Sequence, residues 1–258
     1  MATPTPVLTV EIAGRRWRVG AAGHDLSIPL AFDAPQPTFF GVPAAADAVV
    51  AAGSFVGDVR RGGSCNCSTY TLTPHCNGTH TECVGHVTGE RLSVRELSGE
   101  HFSAALLVSV GPMPIITHAV LVAAVGSHEL SNYRALVVRT LPNTRDKVER
   151  NYDRAPAAYF DAEAMRWIVS KDITALVVDL PSLDRGDDRE LIAHRIFWGL
   201  PPGASSVAQA ARSTATVTEL AFIDDSIADG QYLLNLQVAP FVADAAPSRP
   251  ILLPLTPS

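Results

Sequence analysis

The run Pro74-His75-Cys76-Asn77-Gly78-Thr79-His80-Thr81-Glu82-Cys83-Val84-Gly85-His86 gathers three histidines, two thiols and a carboxylate around one Gly-Thr turn. Imidazole, thiolate and carboxylate are the side chains that hold a borderline divalent cation such as zinc. A cation so held turns water into a nucleophile near neutral pH. These residue types therefore point to metal binding, and metal binding here points to a hydrolase. A purely structural account also exists: Thr79 caps a helix, and Glu82, three residues on, returns the bond to the cap nitrogen.

All four cysteines, Cys65, Cys67, Cys76 and Cys83, lie between positions 65 and 83 of the 258-residue chain. A secreted disulfide framework would spread them out, so the clustering implies a local role, metal binding or packing. Cys65-Asn66-Cys67 has the wrong spacing for a zinc knuckle, which disfavours a structural four-cysteine site. The composition, 47% hydrophobic and 18% charged, is that of a globular protein. A net charge of −6 without any basic stripe argues against nucleic acid and leaves a small molecule as the expected partner. No apolar run reaches the roughly 18 residues a membrane helix needs; Thr117 and His118 interrupt the longest candidate. Met1-Ala2-Thr3-Pro4-Thr5-Pro6 has neither a basic start nor an apolar core. No secretory signal is expected, and a cytoplasmic location follows by default.

The elements that must position these residues read as many strands with few helices. Leu8–Ile12 and Trp17–Val19 flank Ala13-Gly14 as an opening hairpin. Asp25–Leu30 is a short extended piece, Pro35–Gly53 a loop with a small-residue turn, and Ser68–Leu72 a β-branched run entering the His/Cys stretch. Leu92–Val94, Phe102–Val110, Ile116–Val125, Ala135–Arg139 and Ala175–Leu180 are expected strands, as are segments near Val217–Phe222, Tyr232–Val238 and Ile251–Leu255. Asn143–Pro156 is charged and reads as an exposed loop, a candidate rim or lid. Helices are expected over Asp161–Val169, with Asp161 as N-cap, and over Asp188–Trp198, stopped by Gly199 and Pro201-Pro202-Gly203. No repeat or linker divides the chain, so residues 1–258 read as one α/β domain.

The chain resembles the cyclase family of metal-dependent hydrolases, which includes bacterial kynurenine formamidases and isatin hydrolases. That family carries His-x-Gly-Thr-His-x-Asp-x-Pro-x-His; here the same positions read Cys76-Asn77-Gly78-Thr79-His80-Thr81-Glu82-Cys83-Val84-Gly85-His86. Asp25-Leu26-Ser27, Tyr159-Phe160-Asp161 with Trp167, Asp179-Leu180-Pro181-Ser182-Leu183-Asp184 and Asp244-Ala245-Ala246-Pro247-Ser248-Arg249 resemble further family elements, in the right order. The resemblance implies a swivelling β/β/α fold with a mixed sheet, commonly dimeric. It implies hydrolysis of an amide or formamide C–N bond, as in an arylformamidase of tryptophan catabolism, acting on N-formylkynurenine to give kynurenine. The implied metal ligands are Cys76, His80, Glu82, His194 and Glu219, for zinc or else manganese, with His86 as general acid/base. Three departures stand out: Cys76 for histidine, Glu82 for aspartate and Val84 for proline. A thiolate lowers the Lewis acidity of the ion it holds, and glutamate reaches one methylene further. His75, beside Cys76, can take its place if the turn rotates.

His101, His118 and His128 match no motif and read as ordinary histidines, and Asp179 and Asp184 as structural acids. Two alternatives to the formamidase remain at this point. One is a non-hydrolytic metal- or ligand-binding member in which Cys76 and Cys83 form a redox-sensitive pair. The other is an enzyme acting on an ester or lactone, or catalysing a dehydration.

Overall fold

Strands that are apolar without alternation must be covered on both faces, and a closed barrel ringed by helices does this here. The computed structural model describes residues 8–97 and 101–258; the Met1–Pro6 segment considered for a signal lies outside them. The chain opens with the expected hairpin of β1 (Thr9–Ile12) and β2 (Arg15–Val19), turned by Ala13 and Gly14 at φ 51° and 72°. Two successive left-handed residues give the turn that suits strand twist. The barrel strands are β3 (His80–Glu82), β4 (Phe102–Val110), β5 (Ala135–Thr140), β6 (Ala175–Val178), β7 (Thr216–Glu219), β8 (Gly230–Val238) and β9 (Ala245–Pro257). Their order is β9-β8-β4-β5-β6-β7-β3, and β3 pairs back onto β9 to close the ring. Strands β4 to β7 run parallel; β8 is antiparallel to β4 and β9, and β3 is antiparallel to β7 and β9.

Parallel neighbours need crossovers, which are usually helical. The helices α1 (Pro74–Asn77), α2 (His118–Val125), α3 (Ala162–Ser170) and α4 (Ile192–Trp198) include one for each: α2 links β4 to β5, α3 links β5 to β6, and α4 links β6 to β7. This overturns the strand expected over 116–125. Only Ile115–Ile116 is extended; Thr117 then caps α2, its hydroxyl accepting from Val120 N at 3.4 Å. Strand residues alternate between two apolar layers. Leu106, Val108, Leu136, Val138, Leu176 and Val178 face outward onto Leu121, Met165, Ile168, Phe197 and Trp198. Leu107, Val137, Val177, Tyr232, Leu234 and Leu252 fill the barrel. Each fully buried aliphatic or aromatic side chain is worth about 1.5–3 kcal/mol, so the two layers hold the ring rigidly.

Other expectations shift in the same way. Leu92–Val94 is not a strand; one helical turn, Val94–Leu97, follows it. The Pro35–Gly53 loop contains a strand, Ala46–Val49, paired with Ser68–Thr71. The Asn143–Pro156 loop is not exposed throughout: Asn143, Lys147 and Tyr152 are buried. Lys147 Nζ donates to Asp179 Oδ2 at 2.7 Å and to Thr140 O and Oγ1, each at 2.9 Å. Among the described residues no helix is long and apolar enough to cross a membrane.

Candidate metal centre

The Gly-Thr turn leads into a strand and not a helix, which removes the capping-box account of Thr79 and Glu82. Thr79 Oγ1 instead donates to Leu220 O at 2.5 Å and accepts from Ile28 N at 2.7 Å, pinning the turn to neighbouring chain. On β3, His80 and Glu82 share the outward face by the two-residue period of a strand. Thr81 points inward, its hydroxyl 2.7 Å from that of Thr218. Glu219 lies opposite His80 in the register of β7 and β3. The closing strand β9 brackets the other side, with Ala245 opposite Glu82.

His194 enters from α4. Asp184 receives the backbone N–H of Ala193 at 2.6 Å and of His194 at 3.2 Å, and lies 2.6 Å from His194 Nδ1. That contact orients the ring so that Nε2 faces Glu82 Oε1 at 2.9 Å and Glu219 Oε1 at 3.2 Å. His80 follows the same logic, with Nδ1 3.0 Å from Gly78 O and Nε2 3.5 Å from Glu219 Oε2. Leu183 N also donates to Glu219 Oε1 at 2.8 Å. The Pro181–Asp184 loop thus fixes both late residues, which are separated by the long Pro201–Ala215 segment.

Four of the five expected ligands, His80, Glu82, His194 and Glu219, converge on one space. Cys76 does not join them. Among the described residues, the groups whose donor atoms can share an ion are His75/His80/Glu82, Glu82/His194/Glu219 and His75/His86/Asp244. On the single turn of α1, adjacent residues point about 100° apart. His75 brings Nδ1 to 3.0 Å from Glu82 Oε2 and Nε2 to 3.0 Å from Asp244 Oδ2, whereas Cys76 is buried. Burial, with Asp153 and Glu219 nearby, pushes the Cys76 thiol up to about 11. Burial likewise pushes Cys83 up to about 12. His86 lies at the edge of the cluster, Nδ1 3.4 Å from Asp244 Oδ2 and 3.9 Å from Glu82 Oε2. His101, His118 and His128 belong to none of these groups.

The electrostatics of this cluster require cations. Glu82 and Glu219 are buried carboxylates side by side. Burial opposes their charge, and Glu82 opposes that of Glu219, yet the surrounding imidazoles hold both below the usual carboxylate range. Burial also opposes the His194 and His75 cations, but their carboxylate partners win and raise both, His75 to about 10. Protons on imidazole thus stand where a divalent ion would balance the charge. The geometry carries a sharper sign of metal binding. His80 Nε2, His194 Nε2 and both oxygens of Glu82 are buried without a hydrogen-bond partner, although they lie within a few Å of one another. Orphaned buried polar atoms are costly, and an imidazole–carboxylate set converging in this way fits a borderline cation.

Asp244 and the dual role of Asp184 were missed by sequence reasoning. Both acids sit in segments singled out there, but which side chain they would meet depends on ring closure. The barrel mouth also holds a cavity of about 400 Å³, lined by Ser103, Arg134, Thr174 and Leu234 among others. The cluster lies on the barrel's outer face, so that cavity is unrelated to it.

The family profile described as putative cyclase matches residues 24–185. A kynurenine formamidase of Bacillus cereus is 30% identical over 199 residues, covering 75% of this chain and 82% of that protein. One from Bacillus anthracis is 28% identical over 195 residues, with the same coverage. Among solved structures, a potential metal-dependent hydrolase with cyclase activity superposes with a TM-score of 0.66 at 14% identity, covering 90% of this chain and 97% of that one. Isatin hydrolase A from Labrenzia aggregata gives 0.63 at 15% identity, covering 90% and 93%.

Proposed function

The chain belongs to the putative cyclase family, and on that premise we propose that it is a metal-dependent hydrolase of an amide or formamide C–N bond, with an arylformamide such as N-formylkynurenine as substrate and zinc as the ion. The observation that carries the reading is the set of buried, unpartnered atoms on His80, Glu82 and His194. His75 Nδ1, His80 Nε2 and Glu82 form one side of the centre; His194 Nε2, Glu219 and the same Glu82 form the other. Glu82 is common to both, so these residues would hold one ion or two. The ion supplies Lewis acidity and an activated water when bound.

The remaining chemistry belongs to side chains of this chain. Asp184 and the Gly78 carbonyl fix His194 and His80 in the tautomers that present Nε2. His86 stands at the wet edge, its side chain 27% exposed against 0% for Glu82. There it takes the proton from water and delivers it to the leaving nitrogen, so that amide and water become acid and amine. A cleft of about 410 Å³ runs beside Asp184, walled by Phe39, Tyr152, Ala157 and Pro181. Its size and aromatic wall suit an aryl group. The non-hydrolytic alternative rested on the changed ligands, Cys76 and Glu82; on the present reading His75 would supply the imidazole and Glu82 keeps the carboxylate. A homodimer and a cytoplasmic location complete the proposal.

Elemental analysis beside an N-formylkynurenine assay tests it. Purified protein should carry zinc, release formate, lose activity to a chelator and regain it with zinc. Full activity after complete metal removal, or stoichiometric zinc with no hydrolysis of any formamide or anilide, would refute it.

A further inference from the structure

We propose that Asp244 is a positioning residue that holds two histidines of the centre at once: His75 through Nε2, so that Nδ1 is offered to the ion, and His86 through Nδ1, so that Nε2 is left to exchange a proton with substrate. The inference rests on the metal-centre reading above and assigns a role to a residue outside the ligand set. One oxygen, Asp244 Oδ2, lies 3.0 Å from His75 Nε2 and 3.4 Å from His86 Nδ1. The two imidazoles lie against one another, centroids 4.3 Å apart and planes 33° apart. Such a pair of rings needs one acceptor between them to fix both tautomers, and carboxylates serve metal-bound imidazoles in this way.

The backbone keeps Asp244 in place. Its carbonyl accepts from Cys83 N at 3.0 Å, Ala243 O accepts from Val94 N at 2.9 Å, and the next residue, Ala245, pairs with Glu82. Gly85 completes the fit. A Cβ there would come 3.3 Å from Asp244 Cβ and would collide with the Leu92 carbonyl. Only a bare backbone brings the His86 turn so close to the aspartate. Asp244 is an outer partner and not a ligand. The unpartnered atoms of this cluster, on His80, Glu82 and His194, lie on the buried side, whereas Asp244 is hydrogen-bonded on the open side, its side chain 38% exposed.

The test compares wild type, Asp244→Ala, Asp244→Asn, His75→Ala and the double variant Asp244→Ala/His75→Ala. Zinc affinity is read by competition with a chromophoric chelator, and the imidazole tautomers of His75 and His86 by ¹⁵N NMR. Asp244→Ala should weaken zinc by about 10–100-fold and shift both tautomer populations, with kcat reduced more than KM is raised. Asp244→Asn, whose amide oxygen still accepts from His75, should recover part of the affinity, and it serves in place of the alanine variant if that one fails to fold. In the His75→Ala background the zinc effect of Asp244→Ala should vanish, because contacting residues are non-additive. Wild-type affinity and unchanged tautomers in both Asp244 variants would overturn the inference while leaving the metal centre intact. An undiminished effect in the His75→Ala background would overturn it by making Asp244 a ligand. A wild-type protein that binds no zinc would overturn both readings.

Discussion

Replacing His75 and Cys76 one at a time separates two adjacent residues that compete for one place in the metal centre. His75→Ala removes an imidazole whose Nδ1 stands 3.0 Å from Glu82 Oε2, on the side shared with His80. Zinc sites with a full set of protein ligands bind with about 10–16 kcal/mol. Divided over four ligands, one is worth ~2.5–4 kcal/mol, or ~10²–10³-fold in affinity. Cys76→Ala removes a buried thiol that belongs to no ligand group. Its cost falls on packing, about 1–2 kcal/mol of folding stability, while zinc affinity should stay within about threefold of wild type. Chelator competition reads the first quantity, and urea unfolding in the presence of EDTA reads the second. The reasoning fails if Cys76→Ala loses zinc by ~10²-fold or more while His75→Ala keeps it. That pattern would mean that α1 rotates on metal binding to present the thiol.

Three further outcomes are expected. His86→Ala should lower turnover by roughly 10²–10⁴-fold with zinc content unchanged; loss of zinc along with activity would make His86 a ligand. Lys147→Met should destabilise by about 3–5 kcal/mol, because it strands the buried Asp179 carboxylate; a change under ~1 kcal/mol in urea unfolding would show the pair to be dispensable. In metal-free protein, burial disfavours the His75 cation but Asp244 and Glu82 raise its pKa from 6.5 to about 10, so that contribution is whole below 6.5 and is lost as pH rises through about 10. Glu82 and Glu219 are held below their ordinary 4.5, so theirs is whole above 4.5 and is lost as pH falls through the depressed values. Melting temperatures in EDTA should therefore fall on going from pH 6.5 to 10, and a rise over that range would contradict the assigned partners.

Elements whose burial follows a simple pattern were legible in the sequence. Phe102–Val110 and Ala135–Thr140 read as strands because β-branched and leucine runs bounded by turn residues have few other uses. The helix Ala162–Ser170 announced itself through Asp161, whose carboxylate does accept from Ala164 N at 2.7 Å. By contrast, His118–Val125 is apolar on every side and carries no helical period. Only the parallel pairing of its flanking strands forces a helix there. Lys147 looked like one charge among many in a polar loop; its partner Asp179 lies 32 residues away and is found only in the fold. In the site, Cys76 held the aligned position, but which of two successive side chains faces Glu82 depends on how one helical turn is rotated.

On the proposed reading, the same geometry would decide how an ion reaches the centre. Glu82 sits on a three-residue strand wedged between β7 and β9, so the ligands are brought together by closure of the ring. The side chains of His80, Glu82, His194 and Glu219 are 0%, 0%, 2% and 4% exposed. Those of His75, His86 and Asp244 are 23%, 27% and 38% exposed. Entry through the sealed side would require β3 to separate from its neighbours, which is an opening of the barrel itself. Entry through the open side would have to pass only the partly exposed His75, His86 and Asp244. On the proposed reading His75 would be both the ligand in place of the expected thiolate and the side chain that an incoming ion meets first. An imidazole would suit that position better than the buried thiol beside it, because it can stay bound to Asp244 through Nε2 while Nδ1 faces Glu82 and would be free to hold the ion.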